Sequence, residues 1–204
     1  RSSSTLVQID LPYTTTPILT SHPTPALRPV HVVTARLNNN TIDDVVVACE
    51  GDGGADGGIW FMLDGNGTFA SINDAFRCQR LVVRDLDGDL DLDIAALVEE
   101  NGTSMLFRCL DDSPAGSAPF FSFVTSTYVL GDDPHAGLCA HDFDANGVVD
   151  LATTATTLLP VPSSAVRIWR NQAFGSLPLT TPSSGRFASD LATGTLALAR
   201  GGTN

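Results

Sequence analysis

Positive charge is scarce in this sequence: 11 Lys plus Arg stand against 23 Asp plus Glu, a formal net charge of −12. Such a chain cannot neutralise a run of phosphates, so nucleic acid and anionic membrane surfaces are excluded as partners. It also lacks an apolar run of about 18 residues, so no membrane-crossing helix and no membrane insertion are expected. No long amphipathic stripe is present, which argues against a helical protein. The usual catalytic signatures are missing as well: there is no G-x-S-x-G, no H-E-x-x-H and no phosphate-binding loop. Gly51-Asp-Gly-Gly-Ala-Asp-Gly-Gly58 is rich in glycine but has no Lys-Ser/Thr, and its acids would repel phosphate. It reads as a flexible turn between strands, with Asp52 and Asp56 as candidates for a weak extra cation. His22 and His31 stand apart from any acidic cluster, and His135 and His141 flank a short strand, so all four read as loop or core residues. Glu99 and Glu100 are neighbours, and on a strand they point to opposite faces and cannot act as a pair. No catalytic residue is assigned, and no enzymatic activity is expected.

What the chain does have is carboxylate at a fixed spacing. Residues 85–93 read Asp-Leu-Asp-Gly-Asp-Leu-Asp-Leu-Asp, and a related stretch recurs at Asp142-Phe-Asp-Ala-Asn-Gly-Val-Val-Asp150. Each puts oxygen-bearing side chains at positions 1, 3, 5 and 9 of a nine-residue loop. Oxygens that alternate along a tight loop can converge on one hard cation, and Ca2+ takes six to eight of them. The expected ligands are Asp85, Asp87, Asp89 and Asp93 with the Asp91 carbonyl, and Asp142, Asp144, Asn146 and Asp150 with the Val148 carbonyl. Without a cation the first loop holds five carboxylates in nine residues, each close pair repelling by about 1 kcal/mol in water and more in a drier site. An EF-hand is excluded. It requires Glu at position 12 and Gly at position 6 between two helices. Here position 12 is Ala96 or Thr153, position 6 is Leu90 in the first loop although Gly147 in the second, and the flanks look like strands.

The pattern extends in both directions. Arg36-Leu-Asn38-Asn-Asn40-Thr-Ile-Asp-Asp44 aligns with the loops, with Arg in place of the first Asp, and a degenerate third site would involve Asn38, Asn40 and Asp44. The Arg36 guanidinium is expected to fill the cation's place there. Asp190-Leu-Ala-Thr-Gly-Thr-Leu-Ala-Leu198 keeps only the first Asp. Loop starts at 36, 85, 142 and 190 are spaced by 49, 57 and 48 residues, a period suited to a four-stranded propeller blade of roughly 40–50 residues. Each repeat has a short strand into the loop (from His31, Leu81 and Leu138), an apolar strand out of it (from Val45, Ile94 and Leu151) and a third strand (Ile59-Trp-Phe-Met-Leu, Ser104-Met-Leu-Phe-Arg-Cys, Val166-Arg-Ile-Trp-Arg). Trp60 and Trp169 are expected at matching third-strand positions, packing repeat on repeat. With 18 Gly and 12 Pro, the expected class is all-β.

The D-x-D-G-D-x-D-x-D loop, Ile59-Trp-Phe-Met-Leu-Asp-Gly-Asn-Gly-Thr-Phe69 and Val166-Arg-Ile-Trp-Arg-Asn171 resemble the FG-GAP/VCBS repeats, the calcium-loop blades of integrin-α-like propellers. The likeness covers most of residues 30–200. It implies a β-propeller of about four blades, at approximately 30–77, 78–135, 136–185 and a partial 186–204, preceded by an extended Thr/Pro-rich segment 1–29 with one possible strand. It also implies two largely structural Ca2+ ions, each between the first two strands of a blade.

Four Cys at 49, 78, 109 and 139 read as two disulfides in an extracellular setting, and three pairings are possible. Cys49–Cys78 and Cys109–Cys139 are favoured because each would tie one blade to the start of the next. No C-x-x-C occurs, so common zinc motifs are excluded. Sequons at Asn39, Asn66 and Asn101 fall on expected turns and support a secreted or cell-surface glycoprotein. Thr14–Pro17, Ser21–Pro25 and Leu179–Ser184 read as extended, O-glycosylated connections or plain loops. Arg1 opens the chain without an initiator Met or signal peptide, so a processed product or a segment is expected. The last blade is incomplete, so either a longer propeller continues it or copies of the chain complete one another. The functional expectation is a calcium-stabilised structural or adhesive protein, with a self-assembling filament or matrix subunit as one form of it and copies of itself or another extracellular protein as partner. The alternatives are a glycan-binding propeller and, further off, a propeller-based hydrolase or lyase.

Overall fold

The computed structural model of the chain describes residues 5–10, 18–24, 28–38, 40–52, 57–111, 113, 126–131, 135–157, 163–171, 179–180 and 183–184. The described residues form strands and turns with no helix. A two-stranded hairpin comes first, β1 (Thr5–Asp10) against β2 (Ile18–Pro23). Three antiparallel meanders follow. The first is β3 (Pro29–Ala35), β4 (Asp44–Cys49), β5 (Gly58–Met62) and β6 (Ala70–Asn73). The second is β7 (Arg77–Arg84), β8 (Asp93–Glu100), β9 (Thr103–Cys109) and β10 (Ser126–Gly131). The third is β11 (His135–His141), β12 (Asp150–Thr157) and β13 (Ser163–Trp169), with β14 (Leu179–Thr180) and β15 (Ser183–Ser184) both pairing β13.

The apolar runs Val45–Cys49 and Ile94–Val98 become β4 and β8, central strands covered on both faces. Alternate residues therefore feed different cores. Val46 and Ala48 join Ile94, Ala96 and Phe107 between the first and second sheets. Ala95, Leu97 and Leu106 join Leu138, Leu151 and Trp169 between the second and third. Each sheet thus stacks on the next, and the leading strands β3, β7 and β11 touch in succession. The turn between β8 and β9 is a two-residue loop, Asn101-Gly102, with φ of 52° and 79° at its centre. Positive φ at both positions suits the right-handed twist of the flanking strands.

Several expectations need correction. Segment 1–29 contains two paired strands rather than one, and Ser21–Pro23 belongs to β2. Leu179–Ser184 contributes two short strands to the third sheet rather than a plain connection. Trp60 and Trp169 do not match in register: Trp60 faces Val47, whereas Trp169 faces Leu151, making Met62 opposite Val45 the counterpart of Trp169. All four cysteines are buried and none is in a disulfide, so neither Cys49–Cys78 nor Cys109–Cys139 is bridged. They behave as small hydrophobes. The weak fourth repeat at Asp190–Leu198 lies outside the described residues, as do Asn39, Asp56 and Thr14–Pro17.

Candidate metal centres

The three loops share one backbone device. The last Asp of each is fully buried and accepts two main-chain N–H groups, one from loop position 2 and one from the residue after the third strand or one further on. Asp44 takes Leu37 and Asp64, each at 2.8 Å. Asp93 takes Leu86 at 2.7 Å and Asp111 at 2.8 Å. Asp150 takes Phe143 at 3.0 Å and Asn171 at 2.7 Å. A buried carboxylate is costly unless hydrogen-bonded. Here its two oxygens close the loop and hold the third strand's exit against it.

Within the first acidic loop, Asp85, Asp87 and Asp89 bring one carboxylate oxygen each to within 4.8 Å of one another. Asp85 orders the turn by accepting Gly88 N at 2.6 Å and Leu90 N at 3.1 Å. Leu90 takes φ of 80° and is 84% exposed, the conformation Gly147 adopts at 88° in the other loop. Asp91 donates its N–H to Asp89 at 2.9 Å. Asp93 lies outside this trio and serves the backbone. In the second loop the converging set is Asp142, Asp144 and Asp150, again within 4.8 Å. Asn146 accepts Val148 N at 2.8 Å and donates its amide to the Asn171 carbonyl at 3.3 Å. Arg170 stands 3.8 Å from Asp144.

Crowded carboxylates show in their proton affinities. Burial, then the Asp89 charge, raises Asp87. Burial pushes Asp93 up to about 7 against its two backbone donors, with the Asp87 and Asp89 charges adding to the rise. Burial also raises Asp150, helped by Asp144 and Asp142. Asp142 goes the other way, held down chiefly by the Gly147 N–H. A hard cation among these oxygens would favour the ionised forms and relieve the repulsion. The donor chemistry of both clusters, carboxylate oxygens converging on one point, fits such an ion.

Among the described residues the first loop gathers no trio of carboxylates. Arg36 does not fill the cation's place; it turns outward to Asp43 at 3.1 Å, with both side chains exposed. The amides of Asn38 and Asn40 instead donate to the Asp64 carboxylate at 3.3 and 2.6 Å.

Asp64, Asp111 and Asn171, the exit residues of the third strands, were not singled out as site residues from sequence. Their signal was an acid or amide recurring just after that strand. Asp111 is fully buried, with Oδ1 accepting the N–H and hydroxyl of Ser113 at 3.0 and 2.6 Å. The Asn171 amide reaches across to the Leu86 carbonyl at 2.5 Å, tying the third sheet to the first acidic loop. Among the other candidates, His31 accepts Leu81 N at 3.4 Å between β3 and β7. His141 is exposed and packs edge-on against Phe143. Glu99 pairs with Arg77 at 3.4 Å while Glu100 is exposed. The sequon residues Asn66 and Asn101 are exposed in turns.

What fold and site define is a class: an all-β protein of antiparallel sheets with two acidic clusters that could hold a metal ion. Compared with protein-family models and with curated proteins, the chain matches none.

Proposed function

We propose that this chain is a calcium-stabilised repeat protein of the FG-GAP/VCBS kind, a β-propeller or part of one, acting outside cells in structure or adhesion. The observation that carries this reading is the threefold recurrence of one loop geometry, in which two copies converge three carboxylates and the third replaces the cation with amide donors. The ions would rigidify the loop edge while the sheets present surface to partners. At an affinity on the order of 10−4 to 10−3 M, Ca2+ would be bound outside cells and not in the cytosol. Exposed Asn66 and Asn101 suit N-glycans.

Assembly with further copies follows from repeat equivalence. Val45, Val47, Cys49 and Trp60 on the first sheet correspond in register to Ile94, Ala96, Val98 and Phe107, which the second sheet buries. On the first sheet Val47 and Cys49 of this face are already buried within the chain, and Val45 and Trp60 are left partly exposed for a further copy. Glycan binding is the second reading. It retains only Trp60, which is partly exposed, because Trp169 is buried with its indole N–H on Thr153 at 3.2 Å.

Calorimetry and light scattering in Ca2+ and in chelator test the proposal. A higher melting temperature with Ca2+ and a multimeric particle support it. Calcium-independent melting of a monomer would sink both the metal and the assembly arguments, and a glycan array would then decide the second reading.

A further inference from the structure

At the end of the leading strands remote from the acidic loops, each of the three repeats slips register. The slips fall between Pro29 and His31 in β3, between Cys78 and Arg80 in β7, and between His135 and Leu138 in β11. The extra residues are Val30, Gln79 and one of Ala136 and Gly137, which together stand opposite Thr154. Bulges re-aim side chains and gather beside functional sites. Here all three slips feed one cleft of about 300 Å³, lined by Val30, Glu50, Gln79, Arg80 and Ala136.

The charges around this mouth balance, with one exception. Glu50 is held by Arg28 at 2.6 Å and by Arg77 at 2.9 Å. Arg77 also meets Glu99 at 3.4 Å, and Glu99 receives the Gln79 amide at 3.4 Å. Two guanidinium groups thus face two carboxylates. Arg80 makes a single hydrogen bond, to the Gln79 carbonyl at 2.9 Å, and no carboxylate among the described residues pairs with it. Arg80 itself lines the cleft. A guanidinium fork matches a carboxylate in two parallel hydrogen bonds. Val30 also lines an adjoining, mainly apolar cleft of about 390 Å³ with Val7, Pro29, Val32 and Val47.

We propose that this bulge-built mouth binds a small organic carboxylate, with the carboxylate on Arg80 and a short apolar body against Val30. The site is separate from the acidic loops and stands whether or not they hold Ca2+. The net charge of −12 opposes any anion at long range, so binding depends on the short contact, and added salt screens that repulsion before it weakens the contact.

Hexanoate titrated into 15N-labelled protein tests it, read by amide shifts at Val30, Gln79, Arg80 and Ala136. Saturable shifts are expected, weakened at least tenfold by Arg80→Gln. Ala136→Asp, at an exposed position, adds a repelling charge without touching the core and should weaken binding similarly. Hexanol, with the same body and no charge, should give no saturable shift. Undiminished binding in both variants, equal binding of hexanol, or no saturable shift with hexanoate overturns the proposal.

Discussion

Asp93 shows how one buried residue couples the fold to pH. In an unfolded chain an aspartate ionises near pH 4. Folding holds the Asp93 proton up to about 7 because the group is buried and the Asp87 and Asp89 charges lie near it. Between those values the folded state binds more protons than the unfolded one, so stability without Ca2+ should fall as pH rises through the window. Raised Asp87 and Asp150 act in the same sense, and Asp142 opposes them. Melting curves in chelator from pH 4 to 8 should show the decline, and saturating Ca2+ should flatten or reverse it. A chelated protein that gains stability across the window would contradict the assignment. Substitution separates the two roles within the loop. Asp93→Asn leaves one acceptor for two buried N–H groups and should cost about 1–3 kcal/mol with or without Ca2+. Asp87→Asn, at an exposed position, should change the calcium-free protein by less than about 0.5 kcal/mol yet remove roughly half of the calcium response, the second loop being intact. Urea unfolding of both variants in both conditions is the measurement.

At the scale of elements, the sheets communicate through strand exits. The Asn171 amide bonds the Leu86 carbonyl, and its own N–H is bound by Asp150. Asn171→Ala removes the side-chain bond and leaves a buried carbonyl unpaired, at a cost of about 1–3 kcal/mol. Because Leu86 is position 2 of the first acidic loop, calcium titration of this variant should show the loss at that loop first. Equal weakening at both loops would mean the bond has no local role. The strands beside each loop were legible in the sequence: β3–β5, β7–β9 and β11–β13 all cover segments identified by apolar pattern. The fourth strands β6 and β10 were not: Ala70–Asn73 is only four residues long, Ser126–Gly131 lies apart from the loop motif, and both draw their pairing from β5 and β9. Loop composition revealed which oxygens cluster, but it did not reveal that Asp93 is committed to the backbone. That depends on Asp111, 18 residues further along. The tryptophan mismatch has the same origin. Spacing by motif gave Trp60 and Trp169 matching third-strand positions, whereas register counted from the last loop Asp makes Met62 the counterpart of Trp169.

For the whole molecule the question is how much two ions can contribute. With Ca2+ at about ten times its dissociation constant, each site adds about 1.4 kcal/mol, so two add about 3 kcal/mol. In a domain of this size, 1 kcal/mol moves the melting temperature by about 2–4 °C, so chelation should lower it by about 6–12 °C. Titration calorimetry should count two ions, because the first loop satisfies Asp64 with Asn38 and Asn40. A third ion would mean those amides yield to a cation. A single ion would point to the second loop as the weaker site, since Arg170 stands beside Asp144 there. Particle size in the same samples links the ions to assembly. The face bearing Val45 and Trp60 lies on the sheet whose loop needs no cation. If copies join through that face, the multimer should persist in chelator at low temperature and separate only as the sheets melt. Dissociation on chelation alone, without loss of β-structure, would place the contact at the acidic loops instead.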